Sequence, residues 1–307
     1  MKEKEKVDVK VLIMGSGPAG VSAAIYTARA RLETVVLTGP SLGGRISLAS
    51  AIDNYPGAPE NPSGNDLMGK FIMQAERFGA TLDYDTAIKV NLQQRPFIVE
   101  TEGKIYSAEN LIITTGSRSV PMSVPGEKEL VGFGVSYCAT CDAFFYKDMP
   151  VAVIGGNNEA VDEALFLTKF ASKVTIIHRA DKLRADKIRL EKAEASPKIE
   201  YMMNTSVLEV LGKDKVTGLI VKDLQTEETK ELPFDAVFVF IGQKPVSELY
   251  EGQLEMEKGL IKVDERMHTN IPGVYAAGES VDGIYKQVAV SVGSGVMAAM
   301  SLSKDLA

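Results

Sequence analysis

Short apolar runs closed by glycine turns dominate the patterning of the chain. Val7–Met14 reads as a buried strand ending in Gly15-Ser16-Gly17-Pro18-Ala19-Gly20. Small and apolar residues continue at helical spacing through Val21–Ala30, and Thr34–Leu37 reads as a second strand. Strand, glycine turn, helix and strand, in that order, open a dinucleotide-binding unit. The pattern returns about 140 residues later. There Pro150–Ile154 is a strand, Gly155-Gly156-Asn157-Asn158-Glu159-Ala160 a turn, and Val161–Phe170 a helical stretch. Val174–Ile177 follows as a strand that ends at His178-Arg179.

Two such units predict an α/β fold of two Rossmann-like, three-layer domains. Asp181–Glu194 reads as a charged helix with a solvated face. Glu200–Leu224 and Glu231–Gly242 read as strands with turns. After Pro245 the composition changes, and Ile271-Pro272-Gly273-Val274-Tyr275-Ala276-Ala277-Gly278 leads into a final helix from about Ser291. A lone strand–glycine–helix piece at the end fits as the returning part of the first domain. The second domain is then an insertion with boundaries near Ser117 and Pro245: 118–245 inside a first domain made of 1–117 and 246–307.

A length of 307 residues accommodates two cores, and 45% hydrophobic with 24% charged residues is an ordinary globular balance. The net charge of -7 argues against a nucleic-acid partner, which needs a basic face. The charged start Met1-Lys2-Glu3-Lys4-Glu5-Lys6 lacks an apolar signal core, and the apolar stretch near Phe234–Gly242 is too short for a membrane span. A cytoplasmic protein with no membrane partner is the expectation.

The chain has two cysteines, Cys138 and Cys141, with Asp142 beside them. Two intervening residues let the sulfurs meet in a small ring, and a thiolate near a helix start has its pKa lowered. Thiol–disulfide exchange releases a thiolate, and Asp142 stands where it can relay the proton. A zinc site needs about four ligands, whereas the chain offers this pair and the distant His178 and His268, so no metal is expected. Both histidines read as satisfied surface or loop residues, and the 12 methionines mostly as core filling. The first glycine turn permits close backbone approach to a pyrophosphate and aims a helix N-terminus at its charge. The strand at Val35-Val36-Leu37 ends in Thr38-Gly39 rather than in an acid for a ribose hydroxyl, which leaves the nucleotide's identity open.

The glycine turn Gly15–Gly20, the segment Cys138-Ala139-Thr140-Cys141-Asp142 with Phe144-Phe145-Tyr146, and Ile271–Gly278 resemble the low-molecular-weight thioredoxin reductase family, in the same order over essentially the whole chain. The resemblance implies FAD in the first domain, held by Gly15, Gly17, Pro18, Ala19, Gly20, Gly39 and Gly44. Arg45, Asn54, Thr115, Gly116, Gly278, Glu279, Lys286, Gln287 and Val288 complete the implied site. It makes 118–245 a pyridine-nucleotide-type domain carrying the redox pair. Cys141 then faces the flavin, Cys138 attacks the substrate disulfide, and Asp142 is the acid. A homodimer and a thioredoxin or thioredoxin-like partner are implied as well. The inserted domain swings in the family, because nicotinamide and disulfide compete for one ring face.

Departures from the family pattern fall mainly in the second turn. Gly155 and Ala160 keep the family's G-x-G-x-x-A frame, but Asn157 replaces the middle glycine and obstructs the pyrophosphate. Glu159 replaces a small polar residue and brings negative charge toward the phosphates. The family reads the extra phosphate of NADPH with His-Arg-Arg and a later arginine. Here His178, Arg179 and Arg184 remain, while Ala180 replaces the second arginine. Efficient NADPH use is therefore in doubt, and ferredoxin or a second flavin enters as an alternative source of electrons. In the first domain Arg45 replaces glutamine, Glu279 replaces aspartate and Lys286 replaces arginine, which alters the redox poise of FAD but not its retention. Two alternative readings stay open: a small-dithiol oxidase that keeps the cysteine pair and passes electrons to oxygen, and a non-catalytic redox sensor in which the flavin state alters partner binding.

Overall fold

The computed structural model describes residues 4–49, 52, 54–60 and 62–307; Met1, Lys2 and Glu3 of the charged start lie outside them. The chain divides into two compact units, Met1–Arg118 with Pro245–Ala307, and Ser119–Lys244.

In the first unit, β1 (Glu5–Met14) is followed by α1 (Pro18–Arg29), β2 (Thr34–Leu37), α2 (Gly64–Arg77) and β3 (Thr81–Asp83). The short strands β4 (Lys89–Asn91) and β5 (Phe97–Glu100) precede the long β6 (Lys104–Ile113). The seven-stranded sheet runs β3-β2-β1-β6-β5-β4, and the late strand Val274–Ala276 also pairs with β6. β3, β2, β1, β6 and Val274–Ala276 are parallel, whereas β5 pairs antiparallel with β6. From β1 the chain builds outward to one side through β2 and β3, then returns to add β6 on the other. That reversal leaves a crevice at the C-terminal end of β1, where α/β sheets bind ligands.

α1 begins at Pro18, three residues before the sequence pattern places it, because proline's fixed φ and missing N–H suit the first helical position. The last helix likewise starts early, at Val288, and runs to Asp305. Glycine lets this helix settle on α1: a Cβ on Gly295 would lie 2.1 Å from the Ala19 carbonyl oxygen.

The second unit contains α3 (Ala139–Asp142), α4 (Asn158–Leu167) and α5 (Lys187–Glu194); the C-terminal helix Val288–Asp305 is α6. Its parallel sheet places Ile199–Met202, Lys173–Ile177, Pro150–Gly155, Ala236–Phe240 and Val135–Ser136 side by side. Ala236–Phe240 is buried at every position, as a strand covered on both faces must be. Thr205–Gly212, Val216–Asp223 and Thr229–Pro233 form a separate antiparallel sheet. The strand order again reverses beside Pro150–Gly155, above the second glycine turn.

Two helix boundaries depart from expectation. α4 starts at Asn158 rather than Val161, since Asn157 caps it. The charged helix expected over Asp181–Glu194 is formed only from Lys187. Its first part is held as a turn by long-range pairing, with the Arg184 N–H donating to the Gly156 carbonyl at 2.5 Å.

Among the described residues, no helix is long and apolar enough to cross a membrane, and no cluster of three metal-ligating side chains occurs.

Candidate active site

Cys138 and Cys141 are joined as a disulfide with their Cα atoms 5.4 Å apart, inside the usual range for the bond. Cys138 is the N-cap of α3, and its Sγ accepts the Cys141 N–H at 3.2 Å. Once the bond is reduced, that N–H stabilises negative charge on the Cys138 sulfur. Cys138 is half-buried and Cys141 exposed, with Asp142 closing the same turn. Burial first, and then the Asp142 carboxylate, push the neighbouring Tyr146 phenol above its ordinary value.

Two residues that sequence reasoning missed hold this segment. The buried Ser136 hydroxyl accepts the Cys138 N–H at 3.0 Å and donates to the Cys138 carbonyl at 3.1 Å. Glu127, 3% exposed, accepts from the Met122 and Ser123 N–H groups and from the Tyr137 hydroxyl at 2.8 Å. A buried carboxylate with three donors is a fixed anchor, and Tyr137 directly precedes Cys138. The signal was short range for Ser136, two residues upstream of the first cysteine. For Glu127 the local sequence offers none.

The first unit's glycines build a cradle at the C-terminal edge of its sheet. A Cβ on Gly20 would sit 1.9 Å from the Gly15 carbonyl oxygen, and one on Gly44 would sit 2.9 Å from the Gly17 Cα. Gly17 caps α1 without a side chain, so the first-turn N–H groups of Ala19 and Gly20 meet no side-chain acceptor from the cap. A Cβ on Gly39 or Gly116, both at positive φ, would project into open space, which leaves room along both sides of the turn.

Other expected FAD residues gather on the same unit. Asn54 donates to the Gln287 side chain at 3.0 Å across 233 positions of sequence. Gln287 caps α6, Val288 opens it, and Lys286 holds a positive φ of 45° just before. The Thr115 hydroxyl lies 3.3 Å from that of Ser280, which accepts the Gly116 N–H at 3.0 Å. Arg45 does not stand as an added lone cation: its Nη1 lies 3.8 Å from the Glu279 carboxylate and donates to the Ser117 hydroxyl at 3.3 Å.

The second glycine turn is arranged differently. Asn157 Oδ1 accepts the Ala160 N–H at 2.9 Å, occupying a donor that a pyrophosphate would otherwise take. Asn157 thus acts as the cap of α4. Glu159, in the first turn of α4, accepts from Gln243 at 3.0 Å. Asn158 donates to the Asp186 carboxylate and accepts the Asp186 N–H, drawing the start of α5 to the start of α4. Arg184 pairs in β-bridge fashion with Asn157, so the loop carrying Arg179 and Ala180 is drawn against the turn.

His178 meets its expectation as a satisfied histidine only in part, with a backbone hydrogen bond at Lys182. A Cβ on Gly156 would lie 2.5 Å from its ring, and its buried Nε2 has no hydrogen-bond partner among the described residues. Burial first, then the positive fields of Arg184 and Arg179, lower its pKa. His268 does behave as a satisfied loop residue. It bonds Asp264 at 2.8 Å and Asp305 at 2.9 Å, away from the glycine turns.

The family described as pyridine nucleotide-disulphide oxidoreductase matches residues 9–295. A thioredoxin reductase of Rickettsia felis is 44% identical over 307 residues, covering 98% of this chain and 99% of its own. The crystal structure of Lactococcus lactis thioredoxin reductase superposes with a TM-score of 0.92 at 36% identity, covering 96% of this chain and 98% of that one. A ferredoxin-flavin thioredoxin reductase from Clostridium acetobutylicum matches with a TM-score of 0.54 at 32% identity, covering 98% of this chain and 99% of that one. The chain belongs to the pyridine nucleotide-disulphide oxidoreductase family, and within it is a flavin-dependent disulfide oxidoreductase of the low-molecular-weight thioredoxin reductase type.

Proposed function

We propose that this enzyme reduces the disulfide of thioredoxin or a thioredoxin-like protein, with electrons that reach its flavin from a donor other than NADPH. The observation that carries the donor assignment is the contrast between the two glycine turns. At the first, Gly17 leaves the start of α1 open to a pyrophosphate. At the second, Asn157 takes the Ala160 N–H and Glu159 adds a negative charge one residue away. Ala180 removes a cation from the loop that would read the extra phosphate of NADPH.

The first cradle fits FAD: its glycines admit close backbone approach, and open space flanks Gly39 and Gly116. When bound there, FAD supplies a two-electron carrier between the donor and the cysteine pair. Gly15, Gly17, Pro18, Ala19, Gly20 and Gly44 would surround its pyrophosphate, with Gly39 on the adenosine side. Thr115, Gly116, Gly278, Glu279, Arg45, Asn54, Lys286, Gln287 and Val288 would serve the flavin half. The Cys138–Cys141 bond accepts two electrons at Cys141, leaving a dithiol after protonation. Cys138, stabilised as thiolate by the Cys141 N–H, attacks the partner disulfide and forms a mixed disulfide. Cys141 then attacks the Cys138 sulfur and displaces the partner's thiolate, which restores the internal bond and releases the reduced partner. Asp142 delivers the proton to the departing thiolate. The exposed Phe144 and Phe145 flank this turn and give the partner an apolar landing.

Thioredoxin lies near about −270 mV, and each ~30 mV uphill costs about 1.4 kcal/mol for two electrons. The donor must therefore be at least comparably reducing, which suits a ferredoxin-class protein. The resemblance to the ferredoxin-flavin enzyme supports that class. We place the enzyme in the cytoplasm as a homodimer on the same family grounds. Anaerobic titration of the FAD-loaded enzyme with NADPH, NADH and reduced ferredoxin, followed by addition of oxidised thioredoxin, tests the assignment. Reduced ferredoxin should bleach the flavin and yield thioredoxin thiols. Rapid bleaching by micromolar NADPH would overturn it.

A further inference from the structure

Three dipeptides in the first unit share one local design. Gly44-Arg45, Gly116-Ser117 and Gly278-Glu279 each place a polar residue directly after a glycine at positive φ, 69°, 68° and 72°. The three polar side chains meet. Arg45 donates to the Ser117 hydroxyl at 3.3 Å, Ser117 donates to the Glu279 carboxylate, and Arg45 faces the same carboxylate oxygen at 3.8 Å. Both charged residues are only partly exposed, at 32% and 23%. The contacts join positions separated by up to 234 residues, so the fold rather than local sequence assembles them.

Their place along the sheet edge identifies what they face. In dinucleotide-binding sheets the adenosine ribose lies beyond the second strand, here at Thr38-Gly39. A pyrophosphate held at the start of α1 would direct the other half of the cofactor toward β6 and Val274–Ala276. Ser117 and Glu279 follow the ends of those two strands. Arg45 is anchored at the pyrophosphate turn through Gly44, whose Cα is packed on Gly17.

We propose that the Arg45–Glu279 pair, bridged by Ser117, sets the reduction potential of the flavin by balancing charge along the flavin half of the cofactor. Reduction by a ferredoxin-class donor adds two electrons and one proton to the neutral ring and leaves one negative charge. A neighbouring cation favours that reduced form and a neighbouring anion opposes it. Paired, the two charges largely cancel. The role rests on FAD occupying the first cradle, as assigned above.

The test is the two-electron midpoint potential of FAD bound to the full chain, measured anaerobically against a reference dye. Wild type is compared with Arg45→Gln, Glu279→Gln and the double variant. Glu279→Gln should raise the potential and Arg45→Gln lower it, each by about tenfold in the reduction equilibrium, or about 30 mV. The double variant should return close to wild type. Arg45→Lys, which keeps the charge, should hold the wild-type potential; this comparison and Glu279→Gln remain decisive if Arg45→Gln loses its flavin. Singles that leave the potential unmoved, or move it in the same direction, overturn the proposal while leaving FAD in its cradle. Wild-type enzyme purified without flavin and unable to take it up would overturn the cradle assignment itself.

Discussion

Replacing Asn157 by glycine should strengthen the binding of NADPH at the second unit. The Asn157 side chain accepts the Ala160 N–H at 2.9 Å, so removing it returns that donor to any phosphate placed at the start of α4. The structural cost is small, because glycine is itself a tolerable cap and differs from asparagine by only a few tenths of a kcal/mol. A hydrogen bond to a charged acceptor contributes about 1.5–3 kcal/mol, which corresponds to about 10- to 150-fold in affinity. Adding Glu159→Ser removes the negative charge in the first turn, and Ala180→Arg restores a phosphate-reading cation. These changes share one site, so their combined gain will not equal the sum of the single gains. Dissociation constants from calorimetry, with the rate of flavin bleaching by NADPH, give the readout. An affinity unchanged by Asn157→Gly, in a protein that keeps its fold and flavin, would show that the cap is not what closes this site.

Cys141→Ser should retain FAD and still accept electrons from the donor, yet yield no thioredoxin thiols in a coupled assay. Gly20→Ala should lose both flavin and stability, because its methyl group would fall 1.9 Å from the Gly15 carbonyl oxygen. Overpacking of this kind costs about 1–3 kcal/mol, read as flavin content and Tm. His268 has its pKa raised, chiefly by its hydrogen bond to Asp264 and further by that to Asp305. Its stabilising contribution is therefore fully present below the unfolded value of about 6.5 and is lost as pH rises through the higher folded value. The Tm difference between wild type and His268→Asn should shrink across that window, and a difference constant with pH would refute the assignment.

Local features of the site were legible in the sequence, and features made by tertiary pairing were not. Both glycine turns and the cysteine segment announce themselves because the spacing of a few adjacent residues carries their chemistry. The strands leading into the turns were equally readable, since an apolar run closed by glycine has few other structures available. The helix expected from Asp181 fails for the opposite reason. Its charge pattern permits a helix, but Arg184 pairs with the second glycine turn and Asn158 bonds Asp186, which defers the helix to Lys187. Nor does any local pattern reveal that Arg45 meets Glu279, or that Glu127 fixes Tyr137 ahead of Cys138.

Asn157 shows why a substitution in a binding turn has two readings. As a side chain replacing glycine it obstructs a pyrophosphate, and as an asparagine before a helix it is a strong cap. The two uses compete for the same N–H groups, since a helix start that satisfies its own donors has fewer to offer a ligand. The first unit keeps glycine at its cap and leaves the donors at the start of α1 for a cofactor. The second satisfies one donor with Asn157 and engages neighbouring side chains with Asp186 and Gln243. A self-satisfied turn gains local stability that does not depend on a bound nucleotide. A self-capped nucleotide turn and an intact redox pair are therefore compatible within one unit, because they draw on different elements: the start of α4 for one, and Ser136, Glu127 and α3 for the other.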